Sequence, residues 1–341
     1  MHGRPDALAP SSGRQPVLDG VRACSIVLVL MAHWLPLNPV VSGANYAVGE
    51  FGMALFFVLS GYLIGGQLLR RVSPRVFIAH RLARVLPLAW VVALVAGVLW
   101  SFEPQRLLAH LFFYANLPPQ QLAHPLEHYW SLCVELQFYG IAALLLSLQP
   151  RFTWVVVPAL LLADTVYRIS NGAMGGSITW VRGDDILAGA VLVLLINSPA
   201  SERVRGFLAM PLWPWLLPPL LYVSCMLPEG GNPLNYFRSY IAAVWVGSLL
   251  CQPATGIARC LSHPRWAWLA AVSYAVYVLH APLAATWLGS GDLVEKYAKR
   301  PLLLAVVLVL AHLSTFFFER RFTGWARDYG KRQMHTVRPT Q

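Results

Sequence analysis

Several runs of about 18–22 mostly apolar residues recur along this chain, each long enough to cross a hydrocarbon core about 30 Å thick as a helix. That one feature fixes the class: an all-α, polytopic integral membrane bundle. Composition agrees, since 57% of the 341 residues are hydrophobic and 12% charged, against about 25% charged in soluble domains. A formal charge of +11 would suit nucleic acid in a soluble chain. In a polytopic one, excess arginine marks cytoplasmic loops, and no nucleic-acid partner is expected.

Apolar patterning predicts about ten transmembrane helices, at residues 17–37, 47–67, 82–101, 128–148, 152–169, 184–197, 206–227, 236–254, 266–288 and 301–319. Residues 1–16 then form an N-terminal arm, 17–319 the transmembrane domain and 320–341 a basic tail. Placing both termini in the cytoplasm puts most of the 26 basic residues inside. Acidic residues lean outward, among them Glu50, Glu127, Asp184 and Asp185. The arginines before the first apolar run imitate a signal peptide, but Ser42-Gly43-Ala44 lies too far beyond it for cleavage, and a retained first helix is expected. Cys24, Cys133, Cys225, Cys251 and Cys260 show no CxxC or Cys/His spacing, so neither a disulfide framework nor a metal site is expected.

Charged residues within such runs are rare and usually functional. In "LDGVRACSIVLVLMAHW" (18–34), Arg22 and His33 stand 11 residues apart, within about 20° of three full turns. They share a helix face, separated along the axis by about 16 Å, with His33 in the outer half. The bland alternative has Arg22 snorkelling to the interface and His33 bonding between helices. In "AHRLARVLP", Arg81 and Arg84 share a face at the cytoplasmic entry to the third helix and could clamp one polyanion bidentately. Ordinary positive-inside charge, with contacts to anionic lipid, is the competing explanation.

"HYWSLCVELQFYG" (128–140) carries Glu135 about two turns into an apolar span, with Gln137 and Tyr139 nearby. A lone carboxylate there needs a partner or a proton; a structural ion pair is the alternative to a catalytic role. In "VSYAVYVLHAP", Ser273, Tyr277 and His280 form a polar stripe that suits a structural histidine as well as a catalytic one. Asp164 and Arg168 read as a local i, i+4 pair, and Asp184 and Asp185 as carboxylates at a helix N-terminus. "HPLEH" (124–128) lacks HExxH zinc spacing. Without GxGxxG, P-loop or GxSxG motifs, hydride transfer, NTP hydrolysis and a serine hydrolase have no support.

Together these segments resemble the acyltransferase family 3 membrane proteins along nearly the whole chain. Arg22 and His33 are similar to the family's arginine, ten residues, histidine motif in its first helix. "GMALFFVLSGYLI" (52–64) looks like its second helix, Arg81 and Arg84 like its arginine pair, and "WSLCVELQFY" like its fourth-helix segment. "RGDDILAGA", "SYAVYVLHAP" and "FFFERRF" follow in the expected order. Leu136 stands where the family often has a second glutamate. The resemblance implies a ten-helix enzyme of the bacterial inner membrane that moves an acyl group, often acetyl, from cytoplasmic acyl-CoA to a hydroxyl. The acceptor would be a carbohydrate or glycolipid, and no permanently bound cofactor is implied.

In that reading His33 is the general base or a transient acyl acceptor, an imidazole suiting either role near neutral pH. Glu135 orients or polarises it. Arg81 and Arg84 hold the CoA phosphates, Arg22 guides the pantetheine arm, and Trp130, Ser131, Tyr139, Tyr277 and His280 are candidates to line the site. The rival classes are a transporter or flippase using the same charges, although no inverted repeat is visible, and a catalytically silent assembly partner.

Overall fold

The computed structural model describes residues 14–39 and 41–336, so most of the expected N-terminal arm and the end of the tail lie outside the described residues. The first helices are α1 (Pro16–Trp34), α2 (Ala44–Leu69), α3 (Pro74–Leu99) and the short α4 (Pro104–Leu111). A 3-10 turn leads into α5 (Trp130–Ser147), followed by α6 (Pro150–Ser170) and α7 (Thr179–Ile196). Next come α8 (Ser201–Leu208), α9 (Trp213–Cys225), α10 (Arg238–Cys251) and α11 (Gly256–Leu261). The chain finishes with α12 (Arg265–Ala284), α13 (Leu293–Ala298), α14 (Arg300–Leu313) and α15 (Arg320–Thr336), the last two joined by a π-turn at Ser314–Glu319. Proline opens α1, α3, α4, α6, α9 and α14, where its missing N–H costs no helical hydrogen bond. No strand occurs among the described residues.

Each expected span meets a helix, but among the described residues only seven are long and apolar enough to cross a membrane. An eighth follows if α8 and α9, bent by 79° at their junction, count as one broken span. The shortfall from ten has a physical cause. Arg182, Asp184 and Asp185 interrupt the apolar run of α7, and α10 has 14 residues and opens on Arg238. Two boundaries also differ. Pro74 starts α3 early, so Arg81 and Arg84 lie about two and three turns into it rather than at its entry. The basic tail, expected from residue 320, instead begins as α15, continuous through the π-turn with the helix before it.

The chain divides into two compact units, with a boundary running through α12. One comprises Met1–Arg71, Gln149–Gly176 and Trp180–Ala270. Inside it α2 and α7 meet backbone to backbone. A Cβ on Gly61 would sit 1.8 Å from the Ile186 carbonyl oxygen, and one on Gly189 would sit 2.0 Å from that of Val58. Small residues allow such an approach, the usual basis of helix association in lipid. The other unit comprises Val72–Leu148, Ser177–Thr179 and Ala271–Gln341. Two buried tyrosines fasten α3 there: Tyr129 Oη donates to the Ala89 carbonyl (3.0 Å), and Tyr274 Oη to that of Val85 (2.5 Å). On another side of α3, His80 Nε2 meets the Ala326 carbonyl of α15 at 2.9 Å.

Candidate functional site

The first unit carries Arg22 and His33, and both lie within the single helix α1. Eleven residues at 1.5 Å each put them about 16 Å apart along the axis. Arg22 is half-buried and His33, in the last turn, is exposed. That last turn is held by a residue the sequence reading passed over. Asn45 Nδ2 donates to the carbonyls of Ala32 and Leu35, each at 2.6 Å. Its Oδ1 accepts the backbone N–H groups of Leu37 and Asn38, at 3.1 and 3.0 Å. A side-chain amide has two donor hydrogens and two acceptor lone pairs, and all four fix the chain reversal after His33. The sequence signal was an asparagine just after a Ser-Gly turn, facing a helix that ends at proline.

The second unit brings together Glu135, Tyr139 and Arg81. Tyr139 Oη donates to Glu135 Oε1 at 2.7 Å, one turn along α5, and both residues are buried. The Arg81 guanidinium lies over the opposite feature of the same tyrosine, its ring, 5.4 Å from the centroid, and 5.6 Å from the Phe77 ring. Phe77 and Tyr139 in turn meet edge to face at 6.1 Å. One phenol therefore joins a carboxylate to an arginine: charge-assisted hydrogen bonding on one side, cation–π attraction on the other. Arg84 is exposed and within electrostatic range of Tyr139 and of Glu319, a buried carboxylate in the π-turn. Glu319 accepts from the Ser314 hydroxyl at 2.7 Å.

A further buried cluster joins the start of α5 to α12. Ser131 Oγ and Tyr277 Oη share a hydrogen bond of 2.5 Å, and Tyr277 Oη donates to the His128 carbonyl at 2.7 Å. His280 Nδ1 donates to the Tyr277 carbonyl at 2.6 Å, which fixes its tautomer when neutral. The His280 ring packs against that of His128 at 4.9 Å. Ser131, Tyr277 and His280 are thus neighbours, with His128, set aside in the sequence as part of a failed zinc pattern, between them. Trp130 is half-buried at the start of α5. Gln137 tethers the preceding loop, donating to the Phe113 carbonyl and Asn116 Oδ1, each at 3.0 Å, and accepting from Thr179.

The largest departure from the sequence reading lies in the first unit. Arg168 does not pair with Asp164 one turn earlier; it reaches across to Asp184, and its guanidinium also donates to Asn235 Oδ1 at 2.8 Å. Arg238 bridges Glu50 and Asp185, each at 3.0 Å, and Arg182 also pairs with Glu50. The three arginines, Asp184 and Asp185 are wholly buried. Asp184 and Asp185 are therefore not solvated helix-start carboxylates, and Glu50 is buried with them. They form an ion-pair lattice holding α2, α6, α7 and α10 together. Among the described residues no group of three or more His, Cys, Asp or Glu side chains is placed to hold a metal ion.

Comparison with known proteins gives this geometry a family. The acyltransferase domain family model (Acyl_transf_3) matches residues 16–320. A Komagataeibacter xylinus protein whose name assigns it, provisionally, to membrane-bound transacylases is 28% identical, over 90% of this chain and 82% of its own length. The peptidoglycan O-acetyltransferase OatA of Listeria monocytogenes is 25% identical over 89% of this chain, and the match spans only 55% of that longer protein. The exopolysaccharide production protein ExoZ of Rhizobium meliloti is 28% identical, over 70% of this chain and 78% of its own length. No solved structure matches. With seven helices among the described residues long and apolar enough to cross a membrane and a family match over most of its length, the chain belongs to the acyltransferase domain family as a multi-pass membrane enzyme.

Proposed function

We propose that this enzyme transfers an acyl group, acetyl in the simplest case, from acyl-CoA on the cytoplasmic side to a carbohydrate hydroxyl of an envelope or exported glycan. Both termini would lie in the cytoplasm, and the membrane would be the bacterial inner membrane. The relatives named for peptidoglycan O-acetylation and exopolysaccharide production support an O-acyl product on a glycan. The observation that carries the reading is the Arg81–Tyr139–Glu135 set. It links a cation suited to a phosphorylated donor to a buried carboxylate suited to acid–base work.

The chemistry needs a base for the acceptor hydroxyl and a cationic grip on the donor. His33 removes the hydroxyl proton as the alkoxide oxygen attacks the thioester carbonyl. The tetrahedral intermediate collapses, the C–S bond breaks, and the proton leaves with the CoA thiolate as the free thiol. Glu135, with one oxygen held by Tyr139, polarises the site. Arg81 and Arg84 grip donor phosphates, Arg81 from its place over the Tyr139 ring, and Arg22 guides the pantetheine arm. If a covalent acyl-imidazole forms, His33 is its carrier and the two half-reactions separate in time. Trp130, Ser131, Tyr277 and His280 line the acceptor side.

The test is turnover of radiolabelled acetyl-CoA by purified protein in lipid nanodiscs, without an ion gradient and with a glycan acceptor added. Label entering the glycan supports acyl transfer. Movement of glycan across sealed vesicles with no acetyl turnover would support the transporter instead.

A further inference from the structure

The helix that follows the π-turn carries three different faces, and one has no use in acyl transfer. Ala326 and Gly330 face α3: Ala326 is buried and accepts from His80, and a Cβ on Gly330 would sit 3.2 Å from Val76. Arg320, Arg327 and Lys331 lie on the polar face. Between these faces runs an aromatic stripe, Phe322, Trp325 and Tyr329, at i, i+3 and i+7. Trp325 is 63% exposed, and its ring stacks on Tyr329 at 5.9 Å and 17°.

This stripe forms one wall of an apolar groove of about 510 Å³. Phe318, Phe322 and Trp325 line that wall, and Leu82, Leu86 and Trp90 of α3 line the other. The two walls end in charge at the same level. On α3, Arg75 precedes the lining residue Ala79 by one turn, on the same face, and is exposed. On α15, exposed Arg332 follows Trp325 by seven residues, two turns along the same stripe. The close approach of Val76 to Gly330 puts these two ends at the same level along the helix pair.

Dimensions say which solvent meets the groove. The apolar helix Arg300–Gln333 has 34 residues, about 51 Å at 1.5 Å per residue, which exceeds a core of about 30 Å. Its last turns therefore lie among headgroups, where tryptophan and tyrosine concentrate. From Arg75 to Trp90 the α3 wall is about 22 Å long, the depth of one leaflet with its headgroups. Two arginines at the headgroup end and a dry apolar wall below match a single amphiphile with an anionic head.

We propose that the α3–α15 groove is a binding site for one anionic glycerophospholipid, its acyl chain along Leu82, Leu86, Phe322 and Trp325 and its phosphate between Arg75 and Arg332. Neither arginine belongs to the donor grip assigned above, so the site is independent of the acyl-transfer reading.

Native mass spectrometry of the purified full-length protein, titrated with phosphatidylglycerol or phosphatidylcholine of identical chains, tests it. Juxtamembrane basic residues contribute about 1 kcal/mol each toward anionic lipid, so two amount to roughly 30-fold. Wild type should prefer phosphatidylglycerol by at least 10-fold, and Arg75→Gln/Arg332→Gln should abolish that preference. Trp325→Ala should weaken both lipids equally, whereas Arg327→Gln, on the face turned from the groove, should keep the preference. A preference that survives in the double variant, or falls as far in Arg327→Gln, would overturn the site. Displacement of phosphatidylglycerol by acetyl-CoA would overturn it too, by assigning the arginines to the donor.

Discussion

Arg81 and Arg84 are three residues apart and occupy different surroundings, which separates their expected roles. Arg81 lies over the Phe77 and Tyr139 rings, while Arg84 is exposed and within electrostatic range of Glu319. A flat guanidinium stacks on rings where an ammonium does not. Arg81→Lys should therefore raise the KM for acetyl-CoA about 10-fold while Arg84→Lys raises it less, as steady-state kinetics at varied donor will show. Tyr139→Phe tests the other side of the same ring. It keeps the surface under Arg81 but removes the hydroxyl that Glu135 accepts from, a hydrogen bond to a charged group worth about 1.5–3 kcal/mol. The expected result is a kcat reduced roughly 10- to 100-fold with donor KM little changed. An increase in KM alone would show that Tyr139 serves only the arginine.

Among the elements, the turn after α1 and the α2–α7 contact are the most exacting. Asn45→Ala removes the side chain that bonds two carbonyls and two N–H groups of this turn. It should reduce kcat more than KM by loosening the turn that carries His33, and Asn45→Asp should restore part of the activity through its acceptor oxygen. Gly61→Ala places a methyl group into the Ile186 carbonyl, and helices this close cannot adjust without moving apart. Folded yield and melting temperature should both fall sharply. His110 in α4 offers a pH test. Burial lowers its imidazole pKa below the ordinary value, and its Nδ1 donates to the Arg106 carbonyl at 2.8 Å. The unfolded chain then binds the proton first, so stability is intact above about pH 6.5 and declines as pH falls below it. Melting curves between pH 5 and 8 should show the decline, and His110→Phe should shrink it.

On the scale of the whole molecule, the sequence disclosed the class and the order of the helices because both rest on local apolar runs. It also singled out Arg22, His33, Arg81, Arg84 and Glu135 as candidates, since a charge inside such a run is conspicuous by itself. It did not disclose the partners. Arg168 and Asp164 satisfy helical i, i+4 spacing, yet Arg168 pairs with Asp184 on another helix, and nothing in one-dimensional spacing reports that contact. Asn45 and His128 were missed for the same reason: their work is done across turns and between helices. The buried lattice around Arg238 has an energetic consequence. Removing one member of a buried pair leaves an uncompensated charge, a loss of about 3–5 kcal/mol. Arg238→Ala should accordingly reduce the melting temperature far more than Arg81→Ala, whose effect should fall on catalysis.

The central claim, acyl transfer with His33 as base, is tested most directly by following labelled acetyl from acetyl-CoA into envelope glycans. Membranes would contain equal amounts of wild type, His33→Ala or Arg81→Ala/Arg84→Ala. Loss of a general base typically costs about 10²–10⁴-fold in rate. His33→Ala should fall nearly to background at every donor concentration, whereas the double arginine variant should recover as donor is raised. Wild-type labelling sustained by His33→Ala would contradict the account.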